Sequence, residues 1–485
     1  MHHMASLTIM RSLLLLLLVL MGPDAVGGDL YPTFAQLPTD VHQGVDVRLR
    51  RPSDDIASSP FGTLVSSEVH PQQQDADVAH LMRELGVKWV VMHNYHAMLA
   101  DPDDPRLNAW LAMCADAKIR PYCILVSRDI ELWRAAVRNF GDHIKHFGFL
   151  NEPNAPTDND HTKPVVQPAE YVSDLRNVRA AVKAIRSDVK LYAPECAMLQ
   201  CMEESPYPWL PLTVEAGLLK AADGVSIHPY RQAYGPSNIP ENPSTFGGSP
   251  TPRYRTYEEQ IERLRSMVNG KPIGVTEVGW STAPRGPLAP LTSEPITELT
   301  QAKFALRQQI MDFALGVEPA TYFMLRDRDV DRPYPAGHIE NSFGIVRADG
   351  TPKPAYTALQ TLYSQLDGAC KRNPRAAVRF SLPGVKWYLF DDESRGVPMR
   401  KLIYWLPQAG RDDFPIHHAT ASVDDVMAIG VPVSDAPRLL RLHMIDNRWS
   451  CPIVIDLMEQ RMDGNVRWAI RRSDMPTRAV KGTLG

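Results

Sequence analysis

Two glutamates in this 485-residue sequence each follow a short apolar run, as side chains do at the ends of buried strands. Glu152 lies in FGFLNEPN after Asn151, and Glu277 lies in IGVTEVGWST, three residues before Trp280. An idle charge at such a position is costly. Two carboxyl groups can instead cleave a glycosidic bond, because one protonates the leaving oxygen while the other, ionised, attacks or stabilises the anomeric carbon. Unequal surroundings would separate their pKa values and supply both protonation states.

Other polar residues at predicted strand ends leave alternatives open. Glu68 and Glu195 also follow apolar runs, but they lack the asparagine neighbour and the Gly-Trp sequel. Any of these glutamates could simply pair with an arginine of the scaffold. His93 and His96 form H-x-x-H, a weak metal signal, since two histidines alone do not make a zinc site. A polar lining is the better interpretation.

Asp327, Asp329 and Asp331 alternate after the last predicted strand of the series. Without the glycine and the distal glutamate of an EF-hand loop, this spacing favours a solvated acidic loop over a calcium site. We therefore predict no metal and no cofactor, and we expect Asp327 to face the substrate.

Eight apolar runs predict the strands that would position these residues. They cover 61–67, 87–94, 120–127, 147–151, 191–194, 224–228, 273–277 and 321–325. Apolar spacings of three and four predict amphipathic helices between them. Examples cover 75–86, 106–117, 169–185, 257–268 and 298–315.

This alternation over about 300 residues favours an α/β fold, a (β/α)8 TIM barrel, whose active sites lie at the carboxyl ends of the strands. A doubly wound sheet is the rival, but no G-x-G-x-x-G follows any predicted strand, which disfavours its dinucleotide-binding form. In a barrel of radius ~7.5 Å, strands four and seven are ~14 Å apart, and two inward glutamates would leave about 6 Å between their carboxyl groups. That separation fits a cooperating pair.

The ends of the chain differ from the predicted barrel. Residues 369–485 carry β-like runs at 385–392, 401–407, 439–446 and 451–458 between turn residues, which predicts an antiparallel, sandwich-like β domain after a barrel at 29–368. An arginine, a nine-residue apolar run and small residues near the N-terminus predict a signal peptide at 1–28 and a secreted or periplasmic protein, with a retained anchor as the alternative.

Composition limits the partners. The net charge is −4, so no basic excess exists to neutralise nucleic acid. We expect no membrane insertion after signal removal. Export would permit disulfides among the six cysteines, and Cys196–Cys201 and Cys370–Cys451 are plausible pairs, with unpaired buried thiols as the alternative.

The motifs FLNEPN and TEVGW together resemble the retaining (β/α)8 glycoside hydrolases of clan A. Within the clan, IHPY (227–230), FMLRDRD (323–329) and NSFGIVRADGTPKPAY (341–356) are most similar to glycoside hydrolase family 39 and related bacterial exopolysaccharide-degrading enzymes. The resemblance covers roughly residues 60–366.

The resemblance implies a role for each matching residue. Glu152 would be the general acid/base and Glu277 the nucleophile. Asn151 would bind the sugar 2-hydroxyl, and His228 and Tyr230 would orient the nucleophile. Trp280 would offer a stacking face to a sugar ring.

Two positions depart from the family pattern. Many clan members carry an arginine on strand two near the nucleophile, whereas this chain has WVVMHNYH. Either His93, Asn94 or His96 would supply a polar contact instead, or the nucleophile would be held differently. The eighth strand carries Leu325 and Arg326 where many members have a tryptophan.

Three functions are therefore compared. The first is a secreted retaining glycoside hydrolase acting on a β-linked glycan. The second is a glycan-binding protein that has lost turnover, suggested by the missing arginine. The third is a metal-dependent hydrolase using His93, His96 and His228 with carboxylates.

Overall fold

The computed structural model describes residues 51–66, 75–93, 95–155, 166–202, 208–231, 238–244, 254–283, 296–328, 338–393, 399–408, 417–423, 428–433, 455–462 and 465–470. The predicted signal peptide, Glu68, Asn94, Asp329 and Asp331 lie outside these residues.

One parallel sheet forms the centre of the fold. Its strands are β1 (Phe61–Ser66), β2 (Trp89–His93), β3 (Arg120–Leu125), β4 (His146–Phe149), β5 (Lys190–Tyr192), β6 (Cys196–Ala197), β7 (Val225–His228), β8 (Ile273–Val275) and β9 (Ala320–Tyr322). They are hydrogen-bonded in the order β5-β4-β3-β2-β1-β9-β8-β7-β6. Tyr192 of β5 also forms a parallel bridge to Gly224, next to β7. The sheet therefore curls on itself, and the fold is TIM-barrel-like.

Each of the eight predicted strands overlaps an observed strand. The fifth one is divided, because the chain leaves β5 after Tyr192 and pairs with β7 only from Cys196 onward. Glu195 lies in this interruption, with a φ of 55°. A left-handed conformation is uncommon for a residue with a side chain, and such positions cluster at functional sites.

The surrounding helices are α1 (Asp75–Leu85), α2 (His96–Ala100), α3 (Pro105–Asp116), α4 (Ile130–Phe140), α5 (Pro168–Ile185), α6 (Trp209–Glu215), α7 (Leu218–Ala221), α8 (Tyr257–Met267), α9 (Glu298–Ala314) and α10 (Pro354–Gln365). The five predicted helices agree with α1, α3, α5, α8 and α9 to within about a residue at each end.

Side-chain caps explain where several helices begin. Asp104 accepts a hydrogen bond of 2.8 Å from the backbone N–H of Leu107, and Pro105 occupies the first position of α3. Thr256 caps α8 in the same way. These caps bind N–H groups that have no partner within the helix.

Helix α9 joins the barrel to the C-terminal strands. Arg307, in the middle of α9, is fully buried and forms an ion pair with Glu241. The indole of Trp405 donates a 2.7 Å hydrogen bond to the same carboxylate, and Arg307 also donates to the carbonyl oxygen of Gln408. This buried charge pair connects the segment after β7, helix α9 and the C-terminal β region.

The C-terminal strands form two antiparallel sheets. One has the order β10-β12-β13-β16-β17 and the other β11-β14-β15. The strands are β10 (Cys370–Arg372), β11 (Val378–Phe380), β12 (Lys386–Asp392), β13 (Met399–Trp405), β14 (His417–Val423), β15 (Ala428–Val433), β16 (Ile455–Met462) and β17 (Asn465–Ile470). Three of the four β-like runs predicted there overlap β12, β13 and β16, and the run at 439–446 lies outside the described residues.

The described cysteines, Cys114, Cys123, Cys196, Cys201 and Cys370, are buried free thiols. The structure therefore contains no Cys196–Cys201 disulfide, in agreement with the alternative of unpaired thiols, while Cys451 lies outside the described residues. No helix within the described ranges is long and apolar enough to cross a membrane.

Candidate active site

Glu152 follows β4 in a backbone turn that aims its side chain into the barrel mouth. Leu150 and Glu152 both adopt positive φ angles, of 60° and 44°. The backbone N–H of Glu152 donates to the carbonyl oxygen of Glu195 at 3.1 Å. A left-handed conformation is strained for a residue that carries a side chain, and here two such residues lie close together. The strain indicates that the orientation of Glu152 is specifically maintained.

Glu277 follows β8 and lies deeper in the barrel. The residue is 5% exposed, and its Oε2 accepts a hydrogen bond of 3.2 Å from the hydroxyl of Tyr230. Its Oε1 is buried and has no hydrogen-bond partner within the described part of the chain. A buried carboxylate oxygen without a partner is costly, so this atom is suited to meet a ligand.

His228, at the end of β7, brings the two carboxyl groups together. Its Nδ1 lies 2.9 Å from Oε1 of Glu152 and 3.7 Å from Oε2 of Glu277. One side-chain atom each of Glu152, His228 and Glu277 fall within 4.8 Å of one another. The two glutamates that the motifs single out therefore face the same point over the sheet.

The spacing of these atoms indicates a hydrogen-bonded cluster. Two ligands of one tetrahedral zinc ion, each about 2.0–2.1 Å from the metal, would lie ~3.3 Å apart. The 2.9 Å between His228 and Glu152 is instead a direct hydrogen-bond distance. His96 does not join the cluster, because its Nε2 accepts a 3.0 Å hydrogen bond from the backbone N–H of Val126.

Burial controls the charge of Glu277. Desolvation raises the pKa of Glu277 to about 8; nearby His228 lowers that pKa and nearby Glu152 raises it. A pKa of about 8 keeps a proton on Glu277 near neutral pH in the free site. Burial also raises the pKa of Tyr230, with the charges of Glu277 and Glu152 adding to the effect, and the phenol therefore remains a donor.

Two further predicted site residues carry buried polar atoms toward the mouth. Oδ1 of Asn151 and Nε2 of His93 have no hydrogen-bond partner among the described residues. Burial lowers the pKa of His93 to about 3, and the charges of His228 and Arg328 add to this effect, so the ring is neutral near pH 7. Strand β2 carries no arginine, and Nδ1 of His228 instead lies 3.7 Å from Oε2 of Glu277.

Trp280 is a correction to the sequence interpretation. The residue is 1% exposed, its ring packs edge-on against Phe304 of α9, and its indole N–H donates to the carbonyl oxygen of Asn238. The Gly279 backbone passes so close to the carbonyl oxygen of Phe323 that a side chain there would clash. The chain therefore turns Trp280 outward, and the ring has no open face for a sugar.

Asp327, after β9, forms an ion pair within the fold. Its two oxygens lie 2.9 and 2.8 Å from Nζ of Lys353, a buried lysine that also donates to Thr282 at 3.0 Å. Burial raises the pKa of Asp327 to about 6, and Lys353 opposes the shift. The carboxylate forms an internal ion pair that fixes the segment after β9, and its contact with substrate stays a prediction. Asn94 lies outside the described residues.

Glu195, set aside in the sequence as a rival glutamate, is a fully buried carboxylate beneath the cluster. Glu195 accepts hydrogen bonds from the hydroxyls of Tyr122 and Thr276, and its Oε2 lies 3.3 Å from Nε2 of His228. Its position after the fifth apolar run was visible in the sequence. Its partners, on β3 and next to β8, were not.

Comparison with known proteins supports the fold. No family model matches the chain, and no curated protein matches it. Among solved structures, the chain is similar to a family 39 glycoside hydrolase from Bacteroides cellulosilyticus WH2, with 18% identity, a TM-score of 0.58, and coverage of 80% of this chain and 81% of that chain. Others are a family 39 enzyme from Xanthomonas axonopodis pv. citri (16% identity, TM-score 0.49, 76% and 77% covered) and a monomeric beta-xylosidase from Caulobacter crescentus CB15 (15% identity, TM-score 0.49, 76% and 80% covered). The structural neighbours thus include the family that the motifs resemble, and at this level of identity the similarity establishes the fold alone.

Proposed function

We propose that this chain is a secreted retaining glycoside hydrolase that cleaves β-glycosidic bonds of a polysaccharide or oligosaccharide by double displacement. The observation that carries the proposal is the meeting of Glu152 and Glu277 at one point, with His228 between them. Secretion rests on the apolar N-terminal run of the sequence.

The distance between the carboxyl groups favours retention. One oxygen of Glu152 and one of Glu277 lie within 4.8 Å. Retaining enzymes hold their carboxyl groups about 5–5.5 Å apart, whereas inverting enzymes need about 6.5–9.5 Å to admit a water molecule between sugar and base. The close approach of the two oxygens supports the retaining arrangement.

In the first step, an oxygen of Glu277 attacks the anomeric carbon and forms an ester bond to it. The bond from that carbon to the glycosidic oxygen breaks, and the leaving oxygen takes the proton of Glu152. In the second step, Glu152 accepts a proton from water as the water oxygen attacks the anomeric carbon. The ester bond breaks, Glu277 leaves as a carboxylate, and the anomeric configuration is retained.

The single proton of the pair must be on Glu152 when the bond breaks. Positive charge develops at the anomeric carbon in the transition state, and this charge favours an ionised Glu277 beside it. Glu277 is the more buried of the two, with 7% of its side chain accessible against 17% for Glu152, so burial alone favours the proton on Glu277. The positive charge of the transition state supplies the opposite preference, for an ionised Glu277 and a protonated Glu152.

Three buried atoms suit the hydroxyl groups of a sugar. Oδ1 of Asn151, Nε2 of His93 and Oε1 of Glu277 have no hydrogen-bond partners within the described ranges. Asn151 would accept from the sugar 2-hydroxyl, an interaction that strengthens in the transition state. The neutral His93 would exchange a hydrogen bond with a neighbouring hydroxyl. Each contact would satisfy a group that is costly to bury alone.

Hydrolysis of a panel of β-linked glycans tests the proposal, with the anomeric proton of the first-formed product followed by NMR. We expect a β product from wild type and a loss of at least about 100-fold in activity for Glu152→Ala and Glu277→Ala on natural linkages. If both variants keep the wild-type rate, or if the first product is α, the proposal fails.

The second candidate is a glycan-binding protein without turnover, and the absence of an arginine on β2 is the feature that favours it. Calorimetric binding of an oligosaccharide that stays intact over days would support this candidate. The third candidate, a metal-dependent hydrolase, requires activity that a chelator abolishes and zinc restores.

A further inference from the structure

Glu195 is a buried carboxylate that the two-step mechanism does not use. It is 0% exposed, and a charge in such a place needs compensation. Two neutral hydroxyls, of Tyr122 and Thr276, donate to it. The third contact is the ring of His228, 3.3 Å away, and this ring is also in contact with Glu152. Glu195 is thus one side chain removed from the proposed acid/base.

The two contacts of His228 limit its protonation state. A neutral imidazole has one N–H, whereas Nδ1 faces Glu152 and Nε2 faces Glu195. Either the ring is an imidazolium that donates to both, or one of the two carboxyl groups donates its own proton to the ring. If that group is Glu152, the acid proton points at the ring, away from the leaving oxygen.

We propose that Glu195 is a positioning residue whose negative charge holds His228 as an imidazolium, so that Nδ1–H occupies Oε1 of Glu152 and confines the catalytic proton to Oε2. This inference rests on the proposed function, since it assigns which oxygen of Glu152 serves as the acid. The same arrangement leaves Oε2 free to accept the proton of water in the second step.

The groups around His228 favour the charged ring. Carboxylates approach from three segments: Glu152 after β4, Glu195 between β5 and β6, and Glu277 after β8. Neutral His93, at the end of β2, and the phenol of Tyr230 are the other titratable neighbours on this side. Burial lowers the pKa of His228, but the charge of Glu277 and the hydrogen bonds to Glu152 and Glu195 raise that pKa well above its ordinary value.

A merely structural Glu195 would behave differently. Its hydrogen bonds to Tyr122 and Thr276 join β3 to β8, so loss of the side chain would lower stability in either case. If Glu195 were only structural, the charge of His228 would not depend on the charge of Glu195. The loss of activity on changing Glu195 would not depend on the leaving group either. These two properties therefore discriminate between the roles.

The charge of His228 is measured by NMR of the full chain labelled with 15N-histidine at pH 7. The proposal expects two ring N–H groups on His228, assigned by their loss in His228→Asn. Glu195→Gln should leave one N–H, while the matched control Tyr122→Phe, which removes a hydrogen bond to Glu195 but not its charge, should keep both. One N–H in wild type, or two in Glu195→Gln, overturns the proposal. If Glu195→Gln fails to fold, the wild-type spectrum still decides.

Kinetics supply the second measurement. In Glu195→Gln the acid proton should be displaced. We expect kcat/KM to fall about 100-fold or more for substrates whose leaving group must be protonated. For a dinitrophenyl glycoside, whose leaving group departs without protonation, we expect a fall of less than about tenfold. Equal losses for both substrates overturn the proposal. If wild type hydrolyses no glycan, the proposed function fails, whereas the N–H signals still test the charge of His228.

Discussion

The hydroxyl of Tyr230 donates a 3.2 Å hydrogen bond to Oε2 of Glu277. Among the described residues, this hydroxyl is the one neutral group that donates a hydrogen bond to the carboxylate of Glu277. Oε1 of Glu277 has no hydrogen-bond partner among those residues. A hydrogen bond to the ionised form favours ionisation. Tyr230 therefore opposes the desolvation that raises the pKa of Glu277 to about 8.

Replacement of Tyr230 by phenylalanine should raise the pKa of Glu277 further. Glu277 must be ionised to attack, so kcat/KM of wild type should rise as the pH rises through about 8, where Glu277 loses its proton. In Tyr230→Phe this rise should move to higher pH, and the maximum rate should drop about tenfold, because a donor to the developing carboxylate is gone. The pH dependence of kcat/KM is the measurement.

Tyr171→Phe is the matched control for this change. Tyr171 is also a buried tyrosine, but its hydroxyl donates to the backbone carbonyl of Phe149 and not to a carboxylate. It should leave the rise in kcat/KM near pH 8 in place. A profile of Tyr230→Phe that shifts to lower pH would contradict the assigned hydrogen bond.

Gly148→Ala should disturb the buried carboxylate without altering any charge. A Cβ at Gly148, in β4, would overlap the side chain of Glu195, which is itself held by three partners. Overpacking of this kind costs about 1–3 kcal/mol. We expect a lower melting temperature together with a loss of activity on natural linkages, because the displaced Glu195 no longer holds His228.

Gly316→Ala separates this effect from glycine replacement in general. Gly316 has a positive φ and open space around it, so alanine there should cost about 1–2 kcal/mol of backbone strain. Its activity per folded molecule should equal that of wild type. Equal activity of Gly148→Ala would mean that Glu195 tolerates displacement.

The positions that the sequence predicted well depend on local pattern. Buried strands must be apolar, and a residue that follows such a run lies at the mouth of the barrel, which is how Glu152 and Glu277 could be found. Helix bounds followed from amphipathic spacing and capping residues.

The errors concern side chains whose direction is set by distant parts of the chain. Trp280 was expected to face a sugar, but the close approach of Gly279 to Phe323 turns it toward α9. Asp327 was expected at the substrate, and its ion-pair partner Lys353 lies 26 residues later in the chain. The role of Glu195 depends on residues 73 and 81 positions away, at Tyr122 and Thr276. No local pattern shows such partners.

Breaking the buried ion pair of Arg307 and Glu241 should destabilise the chain strongly. Glu241→Gln leaves the fully buried guanidinium of Arg307 without its counter-charge, and loss of one partner of a buried pair costs about 3–5 kcal/mol. The free energy of unfolding in urea measures this. The double variant Arg307→Met/Glu241→Met should recover part of the loss, because it removes both charges. If the double variant is less stable by the sum of the single losses, the two charges are not coupled.

Azide should distinguish the roles of the two glutamates by the configuration of the product. In Glu152→Ala with a dinitrophenyl β-glycoside, Glu277 can still form the ester, since this leaving group needs no proton. Azide then opens the ester from the face that the leaving group occupied, and a β-glycosyl azide is expected. In Glu277→Ala no ester forms, and the space left by the side chain admits azide to the opposite face, so an α-glycosyl azide is expected.

Because burial raises the pKa of Glu277 to about 8, its assignment as nucleophile needs this direct evidence. An α product from Glu152→Ala with a β product from Glu277→Ala would exchange the two roles, and NMR of the anomeric proton reads the outcome.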